Sequence, residues 1–233
     1  MVLEGVHLPV AIAGLLAAAL VALAARSGGA EAPARRWTFR HSTRTHADLG
    51  MWAPATGDAP RAWRVEPFAE GTGGRALASG PGARADDEAT VLLVEGGPAR
   101  DVHLATRCHA ELPRGARGVA SCGVVVGWSE GGYLAVGVEA ASGEVVVSRV
   151  TRRGARDAAR DVLAEGRPRR ERTEASPWRD LEVEARGATL RVRVDGDEVV
   201  TLSLPDPPHG LPGLWTSAGS SAFFDELTLR AGR

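Results

Sequence analysis

The 233-residue chain has no Asn, no Gln and no Lys, and every basic residue is Arg. We read this as a coding bias towards Arg, Ala and Gly and not as a binding signal. An excess of either charge is also missing, with 28 basic and 29 acidic residues. A formal net charge of -1 points neither to nucleic acid nor to an anionic membrane surface as a partner. There are only two cysteines, Cys108 and Cys122, with no CxxC and no Cys/His set at metal-ligand spacing. His41 and His46 form a loose pair without a third ligand, and His103 and His109 lie too far apart along one strand to share a metal. Helical periodicity is almost absent after the N-terminal segment, and there is no internal repeat.

What is present is a fold pattern. Hydrophobic residues make up 44% of the chain, enough for a core. Leu8 to Ala25 is an unbroken apolar run, sufficient for a hydrophobic helix. Ala22-Leu23-Ala24 suits a cleavage site, so residues 1–26 read as a signal peptide or an N-terminal membrane anchor. Arg26, Arg35, Arg36 and Arg40 follow the run, and the positive-inside rule argues against export of that side. Residues 27–36 read as a linker. Residues 37–233 read as one all-β domain, a β-sandwich of two antiparallel sheets.

Asp101 to Leu112 alternates, with Val102, Leu104, Thr106, Cys108, Ala110 and Leu112 on one face and His103, Ala105, Arg107, His109 and Glu111 on the other. Cys122 to Trp128 follows a turn at Pro113 to Gly118. A hairpin centred near Gly115 would set Cys108 opposite Cys122, about 5 Å apart in one sheet and within disulfide reach. Two buried free thiols are the alternative. Tyr133 to Ala140 alternates again, Ser142-Gly143 turns the chain, and Glu144 to Val150 pairs back. Thr151 to Glu174 is Arg-rich and reads as a solvated face or loop, with a short strand at Asp161 to Ala164. Asp195-Gly196 between alternating runs is a strong hairpin signal. Gly210 to Arg230 contains a Trp after a Gly turn and a closing strand that would return to the middle of a sheet.

Four segments in order carry a resemblance: Gly131 to Val136, Trp178 to Val183, Val192 to Val199, and Gly213 to Thr216 with Phe224 to Leu227. Together they resemble the concanavalin A-like lectin/glucanase fold, the laminin-G-like jelly roll. More narrowly, they are similar to the bacterial branch that includes the 3-keto-disaccharide hydrolase domain. The resemblance spans roughly Trp63 to Arg230 and implies two sheets face to face, with relatives that bind or cleave glycans or serve in adhesion. The Glu-x-Asp-x-x-Glu strand of family 16 glycoside hydrolases is missing; Glu182-Val-Glu184 offers two same-face carboxylates without the third acid. Most members of the resembled family carry an acid where this chain has Gly219, so any role of that position is not carried over.

If the hairpin registers hold, His103, Arg107 and His109 share a trough with Gly123, Gly127, Ala135 and Gly137. Tyr133 closes its end and Arg149 projects onto it. Aromatic and charged groups around small residues suit a sugar; cover by another chain segment is the structural alternative. Trp128, Trp178 and Trp215 read as core, and Trp52 and Trp63 as freer to be exposed. Asp225 is a weak calcium candidate, one oxygen ligand where calcium wants six to eight; it reads first as a turn cap, and no other cofactor is expected. The expected function is an exported carbohydrate- or surface-recognition module with a glycan or cell-surface polymer as partner. The alternatives are a glycoside hydrolase or lyase acting on a modified sugar, and a structural or adhesion domain binding protein.

Overall fold

The computed structural model describes residues 33–39, 50–52, 63–69, 71, 74–80, 89–153, 156–169 and 176–232. The apolar segment of residues 8–25, His41 and His46 lie outside the described residues. The strands are β1 (Arg35–Trp37), β2 (Met51–Trp52), β3 (Trp63–Pro67), β4 (Arg75–Ser79), β5 (Thr90–Val94), β6 (Asp101–Glu111), β7 (Ser121–Ser129) and β8 (Gly132–Glu139). They continue as β9 (Val145–Arg153), β10 (Arg156–Gly166), β11 (Arg179–Arg186), β12 (Thr189–Val194), β13 (Asp197–Ser203), β14 (Leu211–Thr216) and β15 (Ser221–Gly232).

These strands form two antiparallel sheets. The eight-stranded sheet runs β13-β12-β11-β6-β15-β4-β3, with β1 also paired to β15; the seven-stranded sheet runs β10-β9-β8-β7-β14-β5-β2. The fold is the all-β sandwich expected. The closing strand does return to the middle of a sheet, since β15 lies between β6 and β4. Its partner segment β14 goes to the other sheet, between β7 and β5. One stretch of chain therefore ties the two layers together.

Period-two alternation explains the layers. In β6 the burial alternates along the strand, with Val102, Leu104, Cys108 and Ala110 turned into the core. The facing sheet contributes Cys122, Val124, Val126, Val136 and Val138 to the same cluster. Full burial of each such side chain stabilises by about 1.5–3 kcal/mol. The turn at Asp195-Gly196 has positive φ at both residues, 53° and 85°, as a tight two-residue hairpin requires.

The expected β6–β7 hairpin does not exist. β6 belongs to the eight-stranded sheet and β7 to the seven-stranded one. The connection between them is long enough to cross from one layer to the other. Cys108 and Cys122 do form a disulfide, with a Cα–Cα distance of 6.1 Å, but it bridges the two sheets through the core instead of two neighbours in one. Both cysteines are fully buried. Facing core positions of packed sheets come within disulfide reach as in-sheet neighbours do.

The described residues of the Arg-rich run form more strand than expected. β9 extends to Arg153, and β10 is an eleven-residue strand at the sheet edge. Edge strands carry charge readily because one side faces water, and charge there discourages pairing with another chain. Trp63 is not exposed: it is 3% accessible and packs on Phe224 at 5.7 Å between ring centroids.

Candidate functional site

The position of β6 divides the expected trough. His103, Arg107 and His109 lie on the outer face of the eight-stranded sheet, while Gly123, Ala135, Gly137 and Tyr133 belong to the seven-stranded sheet. Arg149 is displaced as well. It pairs with Leu134, an inner-face core residue, whereas Tyr133 pairs with Val150 in a separate outer cluster. Strand alternation therefore turns Tyr133 and Arg149 to opposite faces.

The outer face of the eight-stranded sheet is a lattice of paired polar and charged side chains. His103 Nε2 lies 2.8 Å from Glu182 Oε1, and Arg193 Nη1 lies 3.2 Å from the same oxygen. Arg107 Nε is 3.5 Å from Asp180 Oδ1, and its guanidinium sits 5.3 Å from the Trp178 ring. Register explains these pairs, since β6 and β11 align Arg107 with Asp180 and His103 with Glu184, two residues from Glu182 on the same strand face. A shallow depression of about 280 Å³ lies here, bordered by Arg36, Arg107, Asp180, Glu182, Arg193 and Glu226. His109 is different: its Nδ1 is 3.1 Å from the Pro177 carbonyl, and its ring is stacked near Phe223. Cover by the segment before β11 makes His109 part of an aromatic cluster with Phe68, Trp178 and Phe223. Asp225 is fully buried, and its Oδ1 accepts the backbone N–H of Glu226 at 2.8 Å, at a β-bulge where Glu226 has φ 51°.

The seven-stranded sheet carries the denser chemistry. Its outer face holds Tyr133, Val125, Val150, Val91, Leu93 and Trp215 in one cluster. Gly137 is required there: a Cβ on it would come within 2.7 Å of the Trp215 ring. Trp215 is therefore buried as expected, but on the outer face and not between the sheets. The Tyr133 hydroxyl donates to Asp157 Oδ2 at 2.8 Å. Arg152 Nε stands 3.6 Å from Asp157 Oδ1, and the Arg152 guanidinium lies 5.2 Å from the Trp128 ring. Arg160 Nε donates to Ser148 Oγ at 3.0 Å, and its guanidinium lies 5.1 Å from the Trp215 ring.

Burial sets the proton affinities of this group. Tyr133 is pushed well above the ordinary tyrosine value, first by burial and then by the charge of Asp157 and the hydrogen bond to it. Asp157 is also raised, by burial, against the lowering effects of the Tyr133 hydrogen bond and of Arg152 and Arg160. Arg152 is the more enclosed member of its pair with Asp157, its side chain 4% exposed, and its Nε makes no hydrogen bond within the described residues. Beside this network, a depression of about 290 Å³ opens at the sheet rim between the β7–β8 turn and the segment before β14, bordered by Tyr133, Leu134, Arg149, Ser129, Asp206 and Pro208. Tyr133 belongs to both features.

Asp157, Arg152, Arg160, Ser148 and Trp215 were not among the sequence candidates. The available signal was the small-residue face Gly123, Ala135 and Gly137 beside Tyr133, which lies on the same sheet as this network. Among the described residues no group of three or more His, Cys, Asp or Glu is arranged to hold a metal.

No family model and no curated protein matches the chain. Solved structures do. A protein of unknown function with a galectin-like fold from Bacillus subtilis is 10% identical with a TM-score of 0.56, covering 88% of this chain and 99% of its own. The carbohydrate-binding module CBM66 from Bacillus subtilis is 15% identical with a TM-score of 0.54, covering 78% of this chain and 96% of its own. A carbohydrate esterase from the Shiga toxin-encoding bacteriophage phi24B is 15% identical with a TM-score of 0.52, covering 85% and 97%. At these identities the likeness is one of fold, and it agrees with a concanavalin A-like jelly roll.

Proposed function

We propose that this chain is an exported carbohydrate-recognition module that receives a sugar at the rim and outer face of the seven-stranded sheet, around Tyr133. The observation that carries this reading is the Tyr133–Asp157–Arg152 network, set among Trp128 and Trp215 and next to an open depression. Aromatic surfaces stack on the apolar faces of sugar rings, and charged planar groups bind their hydroxyls. The depression, about 290 Å³, has room for one sugar unit at the small end of ligand pockets. Similarity to the module and esterase named above supports the sugar class, and the buried disulfide supports export into an oxidising compartment. The N-terminal apolar run would then be a signal peptide or membrane tether.

A second reading, hydrolysis or lysis of a modified sugar in the manner of the 3-keto-disaccharide hydrolases, is favoured by Asp157. Its raised proton affinity is what a general acid needs. Recognition ranks first because a glycosidase uses two carboxyl groups and the hydrogen-bonded network around Tyr133 holds one, Asp157. Binding of the full chain to a glycan array tests the proposal. Selective retention of one sugar class is expected; a blank array would overturn it in favour of a structural or protein-binding domain.

A further inference from the structure

Arg152 is enclosed in a way that its surroundings do not balance. Its side chain is 4% exposed, and its Nε has no hydrogen-bond partner within the described residues. Its counter-charge is Asp157, and that contact, at 3.6 Å, is longer than a hydrogen bond. Asp157 meanwhile accepts the Tyr133 hydroxyl with its other oxygen at 2.8 Å. Burial also favours the neutral form of Asp157, which weakens the acid that opposes Arg152 among the described residues. A second guanidinium, Arg160, lies over Trp215 on the same outer face with its Nε turned to a neutral hydroxyl, Ser148. Taking a guanidinium out of water costs several kcal/mol unless acceptors replace the lost hydration. Both cations sit on indole rings with Asp157 as their shared carboxyl; Arg160 is exposed, whereas Arg152 keeps a buried donor, Nε, for which the described residues supply no acceptor.

We infer that the glycan taken by this face is an acidic one, a uronic-acid polymer whose sugar carboxylate is received between Arg152 and Arg160. The inference rests on the recognition reading above and specifies its ligand. A planar carboxylate matches the parallel N–H donors of a guanidinium, which a sugar hydroxyl does not. The indole rings of Trp128 and Trp215 hold the two guanidinium planes and limit their freedom, so less order is lost on binding.

The test is calorimetric titration of the full chain with polygalacturonate and with its methyl ester, which keeps the sugar and removes the charge. The acidic polymer is expected to bind about ten-fold tighter or more, the magnitude of a charge-assisted hydrogen bond. Arg152→Gln and Arg160→Gln should each reduce that preference. Arg191→Gln, on the exposed outer side of the other sheet, should leave it intact and so exclude general attraction to a polyanion. Equal binding of polymer and ester overturns the inference while leaving the recognition reading standing. So does displacement by acetate at the same carboxylate concentration, which would mark a simple anion site. Binding of neither these polymers nor any neutral glycan overturns both. The comparison of the two polymers on the unaltered chain remains decisive even if Arg152→Gln does not fold.

Discussion

Tyr133 is the chain's one tyrosine, so its ionisation can be followed by phenolate absorbance without interference. Burial and the neighbouring Asp157 both oppose the phenolate. The native protein should therefore show no phenolate near pH ~10, where an ordinary tyrosine titrates, while the chain in denaturant should show it there. The linkage has a definite sign. A group whose native proton affinity is raised stabilises the fold fully below its unfolded pKa, and that stability is lost as pH rises through the native value. For Asp157 the loss begins just above the ordinary aspartate range, about pH 4, and Asp157→Asn should flatten this part of the stability–pH profile. A native phenolate titration at the ordinary value would mean that the Tyr133–Asp157 contact does not form.

At the scale of elements, β10 and β11 decide what the sheets present. β10 brings Asp157 and Arg160 against β8 and β9, and a register shift between Asp157 and Ala159 accompanies this placement. Arg179, at the start of β11, donates to the carbonyls of Ala140 and Ala141 in the β8–β9 turn and to Asp195 in the β12–β13 turn at 2.9 Å. It joins the two sheets at one end of the sandwich. Both sides of the Arg179–Asp195 pair are largely buried, so Arg179→Ala should cost about 3 kcal/mol in denaturant unfolding. Arg179→Lys should recover only part, because one ammonium cannot serve three separate acceptors with the fixed fork of a guanidinium.

The same elements show what was legible in the sequence. The alternation of β6 and the Asp195-Gly196 hairpin were readable because strand faces and tight turns are local properties. The sheet to which β6 belongs was not, because crossing between layers depends on how the two cores pack and not on the alternation itself. That is why the expected trough placed His103 and Tyr133 together although they stand on opposite layers. Arg152 and Arg160 were hidden for another reason. In a run rich in Arg and Asp, a buried cation has the same composition as a solvated one. Only the neighbours from β7, β8 and β14 distinguish them.

At the scale of the whole molecule, the Cys108–Cys122 disulfide fastens the two layers through the core. It closes a loop of sequence separation 14, so its loss should cost about 3 kcal/mol. Cys108→Ala with Cys122→Ala should lower the denaturant midpoint accordingly, and treatment with reductant should do the same to the unaltered chain. An unchanged midpoint in both cases would show that packing alone holds the layers.

The two outer faces of the sandwich differ in kind: exposed and half-buried charged side chains paired around Glu182 and Asp180 on the eight-stranded sheet, and an enclosed cation with an unpartnered Nε beside Tyr133 on the seven-stranded one. The measurement that separates them most directly is the glycan array run on the full chain and on two variants, His103→Ala with Arg107→Ala on one face and Tyr133→Phe with Asp157→Asn on the other. The account requires sugar binding by the full chain that survives the first pair and falls sharply with the second. Binding that survives the second pair and is lost with the first would contradict it and move the site to the eight-stranded sheet.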